Sequence, residues 1–328
     1  MRTVTGAELR SVLHHRMLIE RLRQTFRAGV EAPAAHRHTV QTYGQHDGTL
    51  LLEPAWQINQ CIGIKVVTDF PDNGAPGSGA PESGANDLPA VQGVYLLIDG
   101  KTGMPQAVLD NAALTKRRTA AASALAASYL ARPDSERLLI VGTGALAPEL
   151  VEAYAAVLHI KQVLVWGRHI DKARKVVGRF HRPKFRIEAT DDLEGAVGGA
   201  HVIVCATSAK EPLIRGDWLQ PGQHLDLVGG MTPDAREADD ACVRKARVFV
   251  DTRDGACKQA GDIVQPMRAG LLTEDDIAGD LYDLTRGERA GRRFYDQITL
   301  FKSVGTPLED LSAAQLAVEM VLHNDTIR

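Results

Sequence analysis

The chain has 328 residues, 44% hydrophobic and 24% charged, the make-up of an ordinary globular protein with length enough for two domains. Its formal net charge of −3 supplies no basic field for nucleic acid or an anionic membrane. No apolar stretch approaches the ~18 residues that span a bilayer, and no leader-like core is seen, so a cytoplasmic protein is expected, with neither nucleic-acid nor membrane partners.

In chain order, Thr5-Gly-Ala-Glu8 has the form of a capping box, and Leu9, Val12, Leu13, Leu22, Phe26 and Val30 follow at roughly helical spacing, predicting an opening helix. Strands are predicted over 48–52, 61–68 and 91–98. Residues 71–87, rich in Gly, Pro, Ser and Ala, read as a mobile loop, and Asp99-Gly-Lys-Thr-Gly103 carries hairpin-turn chemistry. An alanine-rich helix is predicted over 115–130. Five apolar runs follow at the spacing of parallel βαβ units: 138–141, 163–166, 201–205, 224–228 and 248–251. The reading is an α/β protein with a Rossmann-like domain over 116–302. The remainder, 1–115 with 303–328, forms a mixed α/β unit onto which an amphipathic tail (308–323) packs back. Cys61, Cys205, Cys242 and Cys257 lie far apart without metal-ligand spacing. They are expected as buried thiols in a reducing compartment, with no metal site; the scattered histidines His14, His15, His46, His159, His181 and His323 are expected at the surface or locally bonded.

The run Leu138 to Val141 ends in Gly142-x-Gly144-x-x-Ala147 and opens into helical sequence, the strand, glycine turn and helix of a dinucleotide site. Gly142 permits the tight turn. Gly144 lets a pyrophosphate approach the backbone, and Thr143, Ala145 and Leu146 complete the cradle at a helix N-terminus. An NAD site usually places Asp or Glu at the tip of the second strand, where this chain has Gly167-Arg168-His169. Without the acid a 2′-phosphate is not repelled, and Arg168 can bind it; this favours NADPH, with NADH the alternative. Asp171 stands too late to serve the ribose and looks like a helix N-cap.

Five further blocks occur in order: Gly48-Thr-Leu-Leu-Leu-Glu-Pro-Ala-Trp56, Gly63-Ile-Lys-Val-Val-Thr68, Leu114-Thr-Lys-Arg-Arg-Thr-Ala-Ala121, Cys205-Ala-Thr-Ser208 and Phe301-Lys-Ser-Val-Gly-Thr-Pro-Leu-Glu-Asp310. With the glycine turn they resemble the ornithine cyclodeaminase/μ-crystallin family across nearly the whole chain. The resemblance implies a Rossmann domain inserted in a dimerisation and substrate domain, a homodimer, and a small α-amino or α-imino acid handled beside a nicotinamide. It implies that Lys65 and Arg118 hold the substrate carboxylate, that Gly305 belongs to a segment over the substrate, and that Thr119, Thr207, Val228 and Met231 adjoin the cofactor. For Thr207 a structural turn is the other reading. Arg37 is carried over as a displaced counterpart of a family arginine.

The departures narrow the activity. Met231 stands where cyclodeaminases carry an essential Asp, and Met can neither accept a proton nor bind an ammonium. The form Val-Gly-x-x-Thr-Pro-x-x-Arg-Glu-x-Asp-Asp over 228–240 resembles the family's Δ1-pyrroline-2-carboxylate reductases, which make proline and often pipecolate from cyclic imines. Glu53, where the family usually has Met, becomes a candidate proton donor to the imine nitrogen, with water the alternative. The expected reaction is reduction of a cyclic imino acid with Lys65 and Glu53 as catalytic groups. An amino-acid or opine-type dehydrogenase, a cyclodeaminase and a non-enzymatic ligand binder stay open as alternatives.

Overall fold

A computed structural model describes residues 1–43, 46–73 and 88–327, within which the chain divides into two compact units. Of the 71–87 loop it describes a 3-10 turn at Pro71–Asn73 and the end from 88; residues 74–87 lie outside the described residues.

The first unit comprises Met1–His14, Ala28–Arg118 and Pro307–Arg328. Its sheet contains β1 (Arg2–Val4), β2 (His36–Val40), β3 (Gly48–Gln57), β4 (Cys61–Asp69), β5 (Val91–Asp99) and β6 (Pro105–Asp110), in the order β1-β6-β5-β4-β3-β2. Strands β2 to β6 form an antiparallel meander, and β1 joins β6 in parallel. The Asp99–Gly103 turn joins β5 to β6, and the Asp99 carboxylate accepts from the N–H groups of Lys101 and Thr102. Pro54 lies inside β3, where a missing N–H would normally break a ladder. Pairing with β2 ends at Leu52 and resumes only at the Glu31–Trp56 bridge, so no donor is needed at Pro54.

Alternation along these strands sorts the side chains by face. One face carries Glu53, Ala55, Cys61, Gly63, Lys65, Tyr95, Leu97 and Leu109, and the helix Pro307–Ile327 packs over it. That helix was expected to be amphipathic. Instead it is buried over most of its circumference, through Leu308, Glu309, Asp310, Leu311, Ala314, Leu316, Ala317, Val318 and Val321. Each buried Leu or Val contributes ~1.5–3 kcal/mol before entropy. The opening helix is likewise two helices, Gly6–Val12 and His15–Ala28, and the Thr5–Glu8 capping box is present.

The second unit comprises His15–Arg27 and Thr119–Thr306. Its seven-stranded sheet contains β7 (Arg137–Val141), β8 (Gln162–Trp166), β9 (Arg186–Thr190), β10 (Val202–Cys205), β11 (His224–Leu227), β12 (Ala246–Val250) and β13 (Ile298–Lys302), ordered β12-β13-β11-β10-β7-β8-β9 and parallel throughout. The run β9-β8-β7-β10-β11 is the doubly wound dinucleotide-binding order, reversing between β7 and β10. Five of these strands coincide with runs expected from the sequence, although β11 carries the buried polar residues His224 and Asp226. Sequence patterning misses β9, a half-exposed edge strand, and β13, which follows a long irregular stretch yet enters the sheet interior.

Candidate active site

In the second unit, β7 ends at Val141 and Gly142 turns with φ +129°. A Cβ there would lie 2.4 Å from the Ala206 carbonyl oxygen, so only glycine fits between the ends of β7 and β10. The Gly142 N–H donates to the Trp166 carbonyl at 2.9 Å, tying the turn to the end of β8. Gly144 and Ala145 are exposed, and a Cβ on Gly144 would meet nothing within 4 Å. The helix Ala147–Val157 then begins at Leu146 without a side-chain cap and with Pro148 in its first turn. An uncapped N-terminus behind an open glycine turn, Thr143 included, fits a pyrophosphate. At the tip of β8, Gly167 is buried against the Thr143 methyl group and Arg168 is exposed. The helix after it has His169 at its N-cap position with no side-chain cap bond; Asp171, expected as the cap, sits inside the first turn and pairs with Arg174 at 2.9 Å.

The ends of β10 and β11 are fastened by a group that sequence reading missed. The buried Glu237 carboxylate accepts from the Thr207 N–H, the Thr207 hydroxyl and the Gly229 N–H, each at 2.7 Å. The fully buried Lys302 ammonium donates to the carbonyls of Leu227 and Gly229 and lies 3.5 Å from Asp262. Asp262 in turn accepts from the N–H groups of Glu237 and Ala238. Asp226 accepts from the Tyr154 hydroxyl, and Asp251 from the N–H groups of Val304 and Gly305, the latter at φ +87°. Burial pushes Asp226 up to about 6 and Glu237 up to about 7, and raises Asp251, despite the opposing pull of Lys302. Val228 is buried beside this cluster and Met231 is exposed beyond it. Thr119, half-buried, begins the longer segment of the second unit.

In the first unit, Glu53, Lys65 and Tyr95 form one cross-strand row on β3, β4 and β5. Lys65 is 8% exposed, and its ammonium lies 3.1 Å from Asp310 and 3.8 Å from Glu53. Arg118, also buried, donates through Nε to Asp310 at 3.0 Å and through Nη1 to Glu309 at 2.7 Å. Asp310 therefore bridges both cations. Burial would raise its carboxyl, but Arg118 and Lys65 outweigh that and hold it below the usual range. Burial likewise opposes charge on Arg118, and Asp310 and Glu309 overcome it. Among the described residues two of the five guanidinium N–H groups are so used, which leaves three for a ligand.

The Tyr95 hydroxyl is buried without a hydrogen-bond partner among the described residues, over Gly63, where any Cβ would stand 2.0 Å from it. Arg37 is exposed on β2 opposite Leu51, which shares a face with Glu53. The expected clamp residues are thus together, each with an internal counter-ion that sequence reading did not supply. Gly305, expected with the substrate-side tail, falls in the second unit.

The four cysteines are free thiols, three buried and Cys257 half-buried. His15 corrects the expectation for the histidines: it is buried, 3.2 Å from Glu149 and 3.6 Å from Glu152, in ion-pair geometry when protonated. No helix of the described residues is long and apolar enough to cross a membrane.

A model of the ornithine cyclodeaminase/mu-crystallin family matches residues 3–325. A Δ1-pyrroline-2-carboxylate reductase of Paracoccus denitrificans is 40% identical over 303 residues, covering 92% of this chain and 91% of that protein. The ketimine reductase mu-crystallin of Rattus norvegicus is 32% identical over 282 residues, 86% of this chain and 83% of its own. Among solved structures, Thermococcus litoralis Δ1-pyrroline-2-carboxylate reductase in complex with NADH and L-proline superposes with a TM-score of 0.87 at 31% identity, covering 99% of this chain and 98% of that one.

Proposed function

Because the chain belongs to the ornithine cyclodeaminase/μ-crystallin family, we infer that it is an NAD(P)H-dependent oxidoreductase that reduces the C=N bond of small cyclic α-imino acids. The ring is that of Δ1-pyrroline-2-carboxylate, giving L-proline, or its six-membered homologue, giving L-pipecolate. The observation that carries this reading is the charge arrangement around Asp310. With its carboxylates ionised, the cluster opposes Lys65 and Arg118 to Glu53, Glu309 and Asp310, one net negative charge. A bare anion gains little there. A ligand carrying both a carboxylate and a protonated ring nitrogen matches cations and acids together.

The chain's own groups then act as follows. Arg118 uses its free N–H groups on the substrate carboxylate, with Lys65 beside it, which orients the planar C=N bond. Glu53, one-quarter exposed and 3.8 Å from Lys65, keeps the imine nitrogen protonated. Reduced nicotinamide dinucleotide, when bound through residues 142–147, supplies the hydride added at C2. Arg168, with no acid at the β8 tip, supports a preference for NADPH over NADH.

The homodimer reading is supported by the second face of the first unit's sheet. There Leu52, Pro54, Trp56, Ile62, Ile64, Val66, Val94, Leu96 and Ile98 stand in register, none of them fully buried. A solvated antiparallel face would alternate to polar residues, so this one calls for a covering partner, supplied by a second copy.

Purified protein mixed with pyrroline-2-carboxylate and NADPH should lose the nicotinamide absorbance, faster than with NADH. No loss with either cofactor overturns the reductase assignment. Equal rates overturn only the role given to Arg168.

A further inference from the structure

We propose that Glu237 is a positioning residue for the nicotinamide half of the dinucleotide, acting through Thr207 and Gly229. The parallel sheet is built of two mononucleotide-binding halves, and ligands of such sheets lie beyond the C-terminal ends of the strands, at the point of reversal. Here the β7-β8-β9 half carries the glycine turn and Arg168, which leaves the ends of β10 and β11 to the other half of the cofactor. The last ladder bond between those two ends runs from the Val228 N–H to the Cys205 carbonyl at 2.8 Å, and strand pairing stops there. Beyond it, one carboxylate joins Thr207 to Gly229.

Its Oε1 takes both donors of Thr207 and its Oε2 takes the Gly229 N–H, so all three distances depend on a single side chain. Gly229 is gripped from its other side too, because Lys302 donates to its carbonyl. The fit tolerates no side chain at 229: a Cβ would lie 2.2 Å from the Thr207 carbonyl oxygen and 2.5 Å from Glu237 Oε1. The same strand end meets the glycine turn, since Ala206 is what excludes a Cβ at Gly142. Glu237 therefore sets where the β10 and β11 loops stand relative to the pyrophosphate cradle. Its own backbone is held by Asp262, so the carboxylate is anchored at both ends.

An amide cannot replace it. In Glu237→Gln the NH2 group must face either the two Thr207 donors or the Gly229 N–H, leaving a buried donor opposite a donor. The test is equilibrium binding of NADH, followed by its fluorescence, beside binding of ADP-ribose, which lacks the nicotinamide, followed by calorimetry. Glu237→Gln should weaken NADH about tenfold or more while ADP-ribose stays within about twofold. Thr207→Val, which removes only the hydroxyl bond, should weaken NADH by a smaller factor in the same pattern; it decides the matter if the glutamine variant does not fold. Unchanged NADH binding overturns the proposal, and so does equal weakening of both ligands, which marks a general structural role. The inference rests on dinucleotide binding alone and requires no imine, so its failure leaves the reductase reading intact.

Discussion

Both units bury a cluster of charge, and the two clusters are balanced differently. In the first, Lys65 and Arg118 face Glu53, Glu309 and Asp310, and Asp310 stays below the ordinary carboxylate range. In the second, the Lys302 ammonium faces Asp226, Glu237, Asp251 and Asp262, and three of those carboxyls are raised. In the first cluster Arg118 and Lys65 hold the Asp310 carboxyl below its usual range against burial, an arrangement that suits the zwitterion proposed as its ligand. With one cation among four acids, burial raises Asp226, Glu237 and Asp251 in the second cluster, and Glu237, Asp251 and Asp262 spend oxygens on backbone N–H groups. A buried carboxylate is thus no signature of a substrate site. What distinguishes the two is whether cations remain with unused donors.

The sharpest way to break this contrast is Arg118→Ala. It removes the proposed substrate donor and leaves Glu309 and Asp310 facing Lys65 alone. Loss of one partner of a buried pair costs ~3–5 kcal/mol. Urea unfolding should register that, and imine kcat/KM should fall by at least ~100-fold. An active, fully stable variant would remove the clamp from the mechanism.

A second test separates the clusters by pH. Asp226, at about 6, and Glu237, at about 7, lie above their unfolded values. Their contribution to stability is complete below pH ~4 and is lost as pH rises through 6 to 7. Asp310, depressed, contributes above its unfolded value and loses that contribution only as pH falls below ~4. Between pH 5 and 8 the second cluster therefore governs, and unfolding free energy should decline by up to a few kcal/mol as pH rises. A flat or rising profile over that range would contradict the assignment.

The smallest expected effect concerns the sheets. The parallel sheet is apolar along most strands and deeply buried, whereas the meander keeps a half-exposed apolar face. Ile64→Glu on that face should raise the dissociation constant of the proposed dimer about tenfold or more, read by light scattering across a dilution series. Unchanged dissociation would point the dimer elsewhere.

The dinucleotide half of this protein was the more legible from sequence. Continuous apolar runs separated by helices admit few arrangements, and Gly142 and Gly144 stand in a motif whose spacing has a mechanical reason. Lys65 and Arg118 were legible through family blocks. Their counter-ions were not. Asp310 lies 192 residues from Arg118 and 245 from Lys65, and although it closes a family block, nothing in the sequence pairs it with either cation. Glu237 was hidden in the same way, inside an Arg-Glu dipeptide of a polar loop. Charge partners made by tertiary folding leave no local period to detect.

Asp310 has one last consequence, for the thermodynamics of binding. Long basic side chains ordinarily lose rotamer freedom when they close on a ligand, at ~0.5–1.5 kcal/mol apiece. Lys65 and Arg118 are already immobilised by their hydrogen bonds to Asp310. The protein meets that entropy cost while it folds, so the small imino acid proposed as its ligand would find a preorganised grip.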